Sequence, residues 1–249
     1  MRLSRSTAGN LFVIGALIVT VSALAYPAML GVQNTTTTQT RVVASTRWGP
    51  LTEADRDFVV KVRSAGLWEF PLGQEVLKRG TTPEMKTAGR HLVVGHALLD
   101  ASCRKISQDM GITLPNQPTA QQQQFVATVV SKRGTEFDST ASNIMRVTHG
   151  QIFPAVSNIR ATTQNSEIRR LANEANDVVR DHMEVLEKTG LVNMDQALAE
   201  QTGPPRVPKS QMTPPAPQPG APQVALIAPP GLSNPYTKTF PSSPPTTTG

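Results

Sequence analysis

One pattern recurs four times along the chain and constrains its fold more than any other feature. It is a long amphipathic stretch whose apolar stripe is interrupted by a single ionisable residue. The clearest copy is the segment 134–159, where apolar side chains recur at steps of three and four, the spacing of one helix face. His149 lies inside that stripe. Because a buried imidazole needs a hydrogen-bonding partner, the pattern predicts a helix with a polar contact in its interior.

Three further stretches repeat this pattern, with helix start signals before them and glycines after them. Their predicted bounds and interrupting residues are 52–79 with Glu69, 82–110 with His96, and 165–189 with His182. A shorter helix over 119–131 precedes the third main helix, and Pro71 and Pro154 predict bends. No strand-like alternation occurs in 51–194, so the pattern predicts an all-α, antiparallel four-helix bundle with one extra short helix.

The N-terminal residues 1–32 have the pattern of a targeting segment. Arg2 and Arg5 precede an uncharged apolar run, Leu11–Ala25, which ends in an Ala-Leu-Ala cleavage motif. Apolar character continues to residue 32, so the segment is either a cleaved signal peptide or an anchor formed by residues 11–32. Because the basic residues come first, both alternatives place the rest of the chain outside the cytoplasm, secreted or held at the membrane.

The segments that flank the predicted bundle have compositions that do not support a core. Residues 33–50 are rich in threonine and are predicted to be a linker. Residues 195–249 are predicted to be a disordered tail, since 14 of the 21 prolines follow Gly203. Such a tail is typical of a spacer, and a protein partner or a cell-wall contact through it is left open.

The net charge of +6 does not indicate a nucleic-acid partner. Between Leu51 and Met194 there are 17 basic and 16 acidic residues, so the predicted bundle is nearly neutral and the surplus lies in the flanks. No predicted helix carries a basic stripe with interleaved aromatic residues, which a nucleic-acid-binding face needs. The single cysteine, Cys103, falls on a predicted core face and is expected to be a small buried apolar residue.

Several motifs in register resemble a bacterial family of unknown function. The motifs are AGLWEFPLGQ, GRHLVVGHALLD, GTEFD, THGQIFP and ANDVVRDHMEVLEKTGLV, between about Leu51 and Asn193. They resemble domain-of-unknown-function family 4142, some members of which are labelled outer-membrane proteins. The resemblance implies a ferritin-like helical bundle and an exported location, and it implies no reaction. The characteristic polar positions of that family fall here on Glu69, His96, Asp138, His149 and His182.

The four interrupting residues suggest a shared site. Glu69, His96, His149 and His182 could converge on a single divalent transition metal, with Zn, Cu, Ni and Fe all admissible. Residue counts along straight antiparallel helices place the first three within roughly 5 Å in height and His182 about 10 Å lower. The residue three before each histidine is not a glutamate, which argues against a di-iron site.

Two aspartates are expected to contact the metal ligands without binding the metal. Asp100, one turn after His96, is expected to orient the imidazole of that histidine, and Asp138 is a weaker candidate for the same role. Asp138 also fits a capping box with Thr135. His91 and Asp181 are expected at the surface.

Two functions remain open on the sequence. The first is a non-catalytic cell-envelope module, structural or ligand-binding, whose buried Glu and His residues fix the packing of the helices. The second is a metal-binding or metal-dependent redox protein that uses Glu69 and the three histidines. A pH-responsive cluster is a further alternative for the same residues. No nucleophile motif or phosphate-binding loop indicates an enzyme.

Overall fold

The computed structural model describes residues 40–202 and 207–240. The chain divides into two units, Met1–Arg41 and Val42–Gly249, and every element below belongs to the second. Residues 1–32, with the predicted targeting segment, lie outside the described part. Among the helices of the described part, none is both long enough and apolar enough to cross a bilayer.

The second unit is predominantly helical, which confirms the expectation of a mainly α-helical fold. Its elements are β1 Val42–Thr46, β2 Gly49–Thr52, α1 Glu53–Arg79, α2 Pro83–Met110, α3 Ala120–Val130, α4 Gly134–Thr162, α5 Ser166–Glu187, α6 Met194–Thr202 and a 3-10 helix at Lys209–Met212. Helix α3 is the predicted extra helix before the third main helix. Helix α6 was not predicted, because its residues were included in the tail.

The β1–β2 hairpin corrects the predicted linker over residues 42–50, and residues 33–39 of that linker lie outside the described part. The two strands are antiparallel and pair Thr46 with Gly49. Gly49 has φ of 110°, and a Cβ there would lie 2.6 Å from the carbonyl oxygen of Gln164, so the turn requires glycine. Strands of five and four residues are too short to give a clear alternation in the sequence.

The starts of α1, α2, α3 and α5 follow the predicted capping chemistry. Thr52 and Asp55 form a capping box at α1, and Thr119 forms one at α3. Thr82 caps α2, and the side chain of Asn165 accepts two backbone N–H groups at the start of α5. These side chains satisfy amide donors that have no partner within the helix, typically stabilising it by about 1 kcal/mol each.

Neither internal proline ends a helix. Helix α1 runs through Pro71 and α4 runs through Pro154 without a break. Each proline removes one hydrogen bond from its helix, and the packing of the remaining turns holds the helix together.

Helix α3 changes the direction in which the chain traverses the domain. Near the start of α3 the hydroxyl of Ser64 donates to Gln122, and just after its end Arg79 donates to the carbonyl of Lys132. Since Arg79 is the last residue of α1, helix α3 runs alongside α1 and returns the chain to the end where α1 finishes.

The last two long helices then start from opposite ends. Helix α4 begins near Thr81, whose backbone N–H donates to Asp138 at 3.0 Å. Helix α5 begins beside the hairpin, where the N–H of Ser166 donates to the carbonyl of Trp48 at 2.9 Å. Helices α1 and α5 therefore run away from the hairpin, α2 and α4 run toward it, and each long helix packs against antiparallel neighbours.

The buried side chains form two main apolar clusters, one above the other along the helices. The cluster nearer the hairpin includes Phe58, Ile106, Val156, Ile168 and Leu171. The cluster at the far end includes Leu72, Met85, Leu92, Phe137, Met145 and Leu186. His149 and His182 lie between the two clusters in sequence. Glu69 lies beside Trp68 and Leu72 of the far cluster, and His96 lies beside Val94 and Leu99 of the cluster nearer the hairpin, so the four residues form a polar layer at the boundary between the clusters.

The tail differs from the prediction of disorder. Residues 207–240 lie on the bundle, with Leu226 and Tyr236 only 8% and 5% exposed. The backbone N–H of Leu226 donates to Asp100 at 2.9 Å, and Arg63 donates to the carbonyl of Val224 at 2.7 Å. A proline-rich segment cannot build its own core. In this protein the proline-rich segment packs on the surface of the helical bundle.

Candidate metal centre

Each long helix contributes one residue to the buried polar layer, at a similar distance from the hairpin end. Glu69 lies 16 residues after the start of α1, and His182 lies 16 residues after the start of α5. His96 lies 14 residues before the end of α2, and His149 lies 13 before the end of α4. At 1.5 Å per residue these positions agree to within about 5 Å in height.

The predicted displacement of His182 was therefore wrong, although the bounds of its helix were nearly correct. That prediction assumed that α4 starts at the end where α2 finishes. Helix α3 instead carries the chain to the opposite end, so the α4–α5 pair is inverted relative to the assumption. Because α5 runs in the opposite direction to the one assumed, His182 lies at about the same height as Glu69, His96 and His149.

The ligand atoms of the four residues converge closely. One oxygen of Glu69 lies 3.1 Å from Nε2 of His96 and 3.2 Å from Nε2 of His149. Nε2 of His149 lies 2.9 Å from Nδ1 of His182. One such atom from each residue falls within 4.8 Å of all the others, and all four side chains are buried. A four-coordinate ion with bonds of about 2.0–2.2 Å needs only small side-chain rotations to be bound here.

Two of the imidazoles have their tautomer set by backbone carbonyls. Nδ1 of His149 lies 2.7 Å from the carbonyl of Met145, and Nε2 of His182 lies 3.1 Å from the carbonyl of His91. A carbonyl only accepts, so both of these nitrogens carry the proton. In the neutral rings, Nε2 of His149 and Nδ1 of His182 then have bare lone pairs that face each other at 2.9 Å.

The electrostatics of the layer favour the metal-ligating forms of these residues. Burial lowers the pKa of His149, more than the Glu69 carboxylate raises it, and burial with the neighbouring histidines holds the pKa of His182 well below its usual value. Burial acts to raise the pKa of Glu69, but the charges of His149 and His96 outweigh it and lower that pKa. Burial therefore favours the neutral rings of His149 and His182, the form in which an imidazole binds a metal.

His96 is the least constrained member of the cluster. Its Nε2 faces Glu69, while its Nδ1 is buried and has no hydrogen-bond partner among the described residues. Its tautomer is therefore not fixed by a carbonyl, in contrast to His149 and His182.

The structure corrects both predicted supporting aspartates. Asp100 pairs with the buried guanidinium of Arg63 and with Arg104, and it does not orient His96. Asp138 accepts from the N–H and hydroxyl of Thr81, at the turn before α2. Helix α4 has no side-chain cap, so the predicted capping box of Asp138 is also wrong.

The atoms that do support the site had little signal in the sequence. They are main-chain carbonyls, of which only that of Met145, four residues before His149, follows from helical spacing. His91 and Asp181, expected at the surface, are partly buried and pair at 2.7 Å. The hydroxyl of Tyr236, from the tail, donates to the same carboxylate of Asp181 at 2.6 Å. A tail residue thus reaches the pair behind His182.

The cluster has the chemistry of a transition-metal site. Three imidazole nitrogens and one carboxylate oxygen suit Zn, Fe, Cu or Ni, and no thiolate takes part. Cys103 is fully buried on the same helix as His96, and burial raises the pKa of its thiol far above its usual value. A neutral thiol is not a metal ligand, so Cys103 belongs to the apolar core, as the sequence indicated.

Fold and site together define a helical domain with a buried carboxylate–imidazole cluster of the metal-ligand type. The chain belongs to the family described as Domain of unknown function (DUF4142), which matches residues 41–189. That match confirms the resemblance of the sequence motifs, and it spans the hairpin through α5 with all four cluster residues. No curated protein and no solved structure matches the chain.

Proposed function

We propose that this chain is a metal-binding protein that holds one divalent transition metal on Glu69, His96, His149 and His182. The observation that carries the proposal is the 2.9 Å approach of two imidazole nitrogens, from His149 and His182, whose outer nitrogens both donate to carbonyls. Two facing lone pairs repel each other, and either a proton or a metal ion removes the repulsion. Burial lowers both pKa values and so disfavours the proton.

The proposed ligands also have the outer contacts that metal-bound histidines use. A ligating imidazole usually donates its second N–H to a carbonyl or carboxylate, which fixes the ring and raises its basicity. His149 and His182 both do so. When bound, the ion would supply a Lewis-acid or redox centre in an enclosed polar layer.

The test is elemental analysis of the full-length chain purified without a histidine tag. We expect about one transition metal per chain, retained through gel filtration and lost in a His149→Ala, His182→Ala double variant. The matched control is His91→Ala, because His91 contributes only its main-chain carbonyl to the cluster. Metal-free protein that also fails to take up added Zn, Fe, Cu or Ni would overturn the proposal.

A second function is favoured by the contacts of Glu69. Its carboxylate lies within 3.2 Å of two histidines, so the layer could also be a structural network closed by one shared proton. The two functions differ in their response to a chelator. A structural network keeps its melting temperature, whereas a metal site loses stability until metal is restored.

We infer that the bundle has the ferritin-like type of connectivity. The support is the crossover through α3, which joins two antiparallel helix pairs, α1–α2 and α4–α5. The site departs from the di-iron pattern of such bundles, because Val93, Arg146 and Val179 stand three residues before the histidines. One carboxylate and three imidazoles suit a single ion better than a pair.

We also propose that the chain is exported. The support is in the sequence alone: Arg2 and Arg5 ahead of the apolar run Leu11–Ala25. Cell fractionation with N-terminal sequencing tests this proposal. A mature chain that begins after Ala25 indicates secretion, an intact N terminus in the membrane fraction indicates an anchor, and an intact cytoplasmic chain contradicts both.

A further inference from the structure

The proposed metal centre leaves unused a cavity of about 270 Å³ that lies beside it. Glu69, His96 and His149 form part of its wall. His182 does not line it and is enclosed on its far side by the carbonyl of His91. An ion held by these residues would therefore face the cavity on one side.

The cavity wall is mostly apolar. Its aromatic part is made by Phe58, Trp68 and Phe125, and the ring centroids of Trp68 and Phe125 lie 5.5 Å apart at an angle of 55°. Its aliphatic part includes Val62, Ile152 and Val156. Apart from Glu69, Lys61 is the only side chain with a formal charge in the wall. A wall of this kind desolvates an apolar ligand and accepts few polar groups.

Among the three glutamines that line the cavity, Gln122 has an amide held in a fixed orientation. The side-chain oxygen of Gln122 accepts from the hydroxyl of Ser64 at 2.7 Å and from the N–H of Thr119 at 2.8 Å. These two contacts fix the orientation of the amide, so its NH₂ group is the part left to serve a ligand. Gln122 and Ser64 both line the cavity.

We propose that the cavity binds a small, mainly apolar organic molecule that carries an oxygen-donor head group. This inference rests on the proposed metal centre: the head group would add a ligand to the four side chains at the Glu69–His96–His149 face, expanding the coordination beyond four, and the apolar body would lie against Trp68 and Phe125. The volume lies just below the range of about 300–1,000 Å³ typical of small-molecule sites, so the ligand is about the size of one substituted ring.

The test uses two probes with the same head group. Benzohydroxamate carries an aromatic ring and acetohydroxamate carries only a methyl group. We expect both to change the visible spectrum of the Co(II)-loaded full-length chain, with benzohydroxamate binding at least about tenfold tighter because its ring is buried in the cavity. Equal affinities, or no spectral change with metal bound, would overturn the inference and leave the proposed function standing.

Two variants locate the binding. Ala65→Phe fills the cavity from α1 and should remove benzohydroxamate binding while metal content stays the same. Phe125→Ala removes one aromatic side chain from the wall. It should reduce the ratio of benzohydroxamate affinity to acetohydroxamate affinity about tenfold. The matched control for the second is Phe153→Ala, since Phe153 is also half-buried and does not line the cavity.

A second measurement separates failure of the cavity from failure of the metal centre. A Trp48→Phe chain has Trp68 as its only tryptophan, so its fluorescence reports on the cavity wall. If no metal binds, the proposed function fails, and the ligand with a coordinated head group fails with it. In that case benzohydroxamate could still quench the fluorescence of Trp68, and loss of this quenching in Phe125→Ala would show that the cavity binds apolar molecules without a metal. If benzohydroxamate did not quench, the cavity would bind neither kind of ligand.

Discussion

Two buried polar clusters lie about two helical turns apart on α1, and they differ in how their charges are satisfied. The first is the pair Arg63–Asp100, with side chains 0% and 1% exposed. The second is the layer of Glu69 with three histidines. In the first cluster, Arg63 also donates to the carbonyls of Pro115 and Val224, and Asp100 also accepts from Arg104 and the N–H of Leu226.

The difference separates a structural ion pair from a ligand site. The charges of Arg63 and Asp100 cancel, and each side chain makes further hydrogen bonds. The pair therefore has no unsatisfied atom that an added ion could bind. The histidine layer instead places one carboxylate and two bare imidazole nitrogens against each other. It also leaves Nδ1 of His96 without a partner among the described residues.

The largest effect should come from breaking the satisfied pair. Arg63→Met leaves the Asp100 carboxylate buried without its main partner, and we expect a loss of about 3–5 kcal/mol in the free energy of unfolding. Urea denaturation measures this loss. The Arg63→Met, Asp100→Leu double variant should recover much of it. A single variant as stable as the parent would show that the pair contributes little.

The same variant should free the tail. Val224 and Leu226 hold their backbone contacts through Arg63 and Asp100. Limited proteolysis should therefore cut the segment 214–228 faster in Arg63→Met than in the parent. An unchanged cleavage pattern would show that Tyr236 and the apolar contacts of the tail are enough to hold it.

The next effect should come from filling the unsatisfied layer. With free metal at 100 times its Kd, we expect about 2.7 kcal/mol of added stability, from binding to the folded state alone. The gain is the difference between chelated and metal-loaded samples in urea. His149→Ala should lose it, and Arg63→Met should keep it despite lower stability. A gain of equal size in His149→Ala would mean that the metal binds elsewhere.

The contents of the layer could be predicted from the sequence because they follow from local periodicity. Each of the four stripes has one ionisable residue at a core position, and helical spacing alone selects Glu69, His96, His149 and His182. The caps at Thr52, Thr82 and Thr119 are equally local, since a hydroxyl and the backbone three residues later decide them. No knowledge of the tertiary structure was needed.

What could not be predicted depends on long-range geometry. The height of His182 depends on the path of α3, whose 11 residues are able to carry the chain about 16 Å along the bundle. Asp100 lies one turn from His96, and spacing gives no sign that Arg63, 37 residues earlier, pairs with it instead. The tail is held in part through the main-chain groups of Val224 and Leu226, which every residue has, and these contacts leave no pattern in composition.

Acid should weaken the metal-free histidine layer through its own titration. Since the folded-state pKa values of His149 and His182 lie below 6.5, the unfolded chain binds protons first as the pH falls. Stability should therefore fall below about pH 6.5. The lowered pKa of Glu69 adds a further loss below about pH 4.5. Chelated thermal melts across this range measure both.

The control for that experiment removes part of the titrating layer. A Glu69→Met, His149→Leu chain should show a smaller loss of melting temperature between pH 7 and pH 5, because one imidazole and its carboxylate partner no longer titrate. Arg63 and Asp100 are unchanged in it. A pH profile identical to that of the parent would assign the acid sensitivity to other groups.

The smallest effect should come from the contact that joins the tail to the back of the histidine layer. Tyr236→Phe removes the hydroxyl that donates to Asp181, and the carboxylate keeps its contact with His91 at 2.7 Å, so we expect a loss of about 1 kcal/mol. The matched control is Thr239→Val, which removes a hydrogen bond to Asp177 one turn farther from His182. Both variants should lose stability in urea, but only Tyr236→Phe should also weaken metal binding, because its hydroxyl contacts the carbonyl of His91 that fixes His182. Equal metal affinities in the two variants would show that the tail packs on the bundle without any coupling to the site.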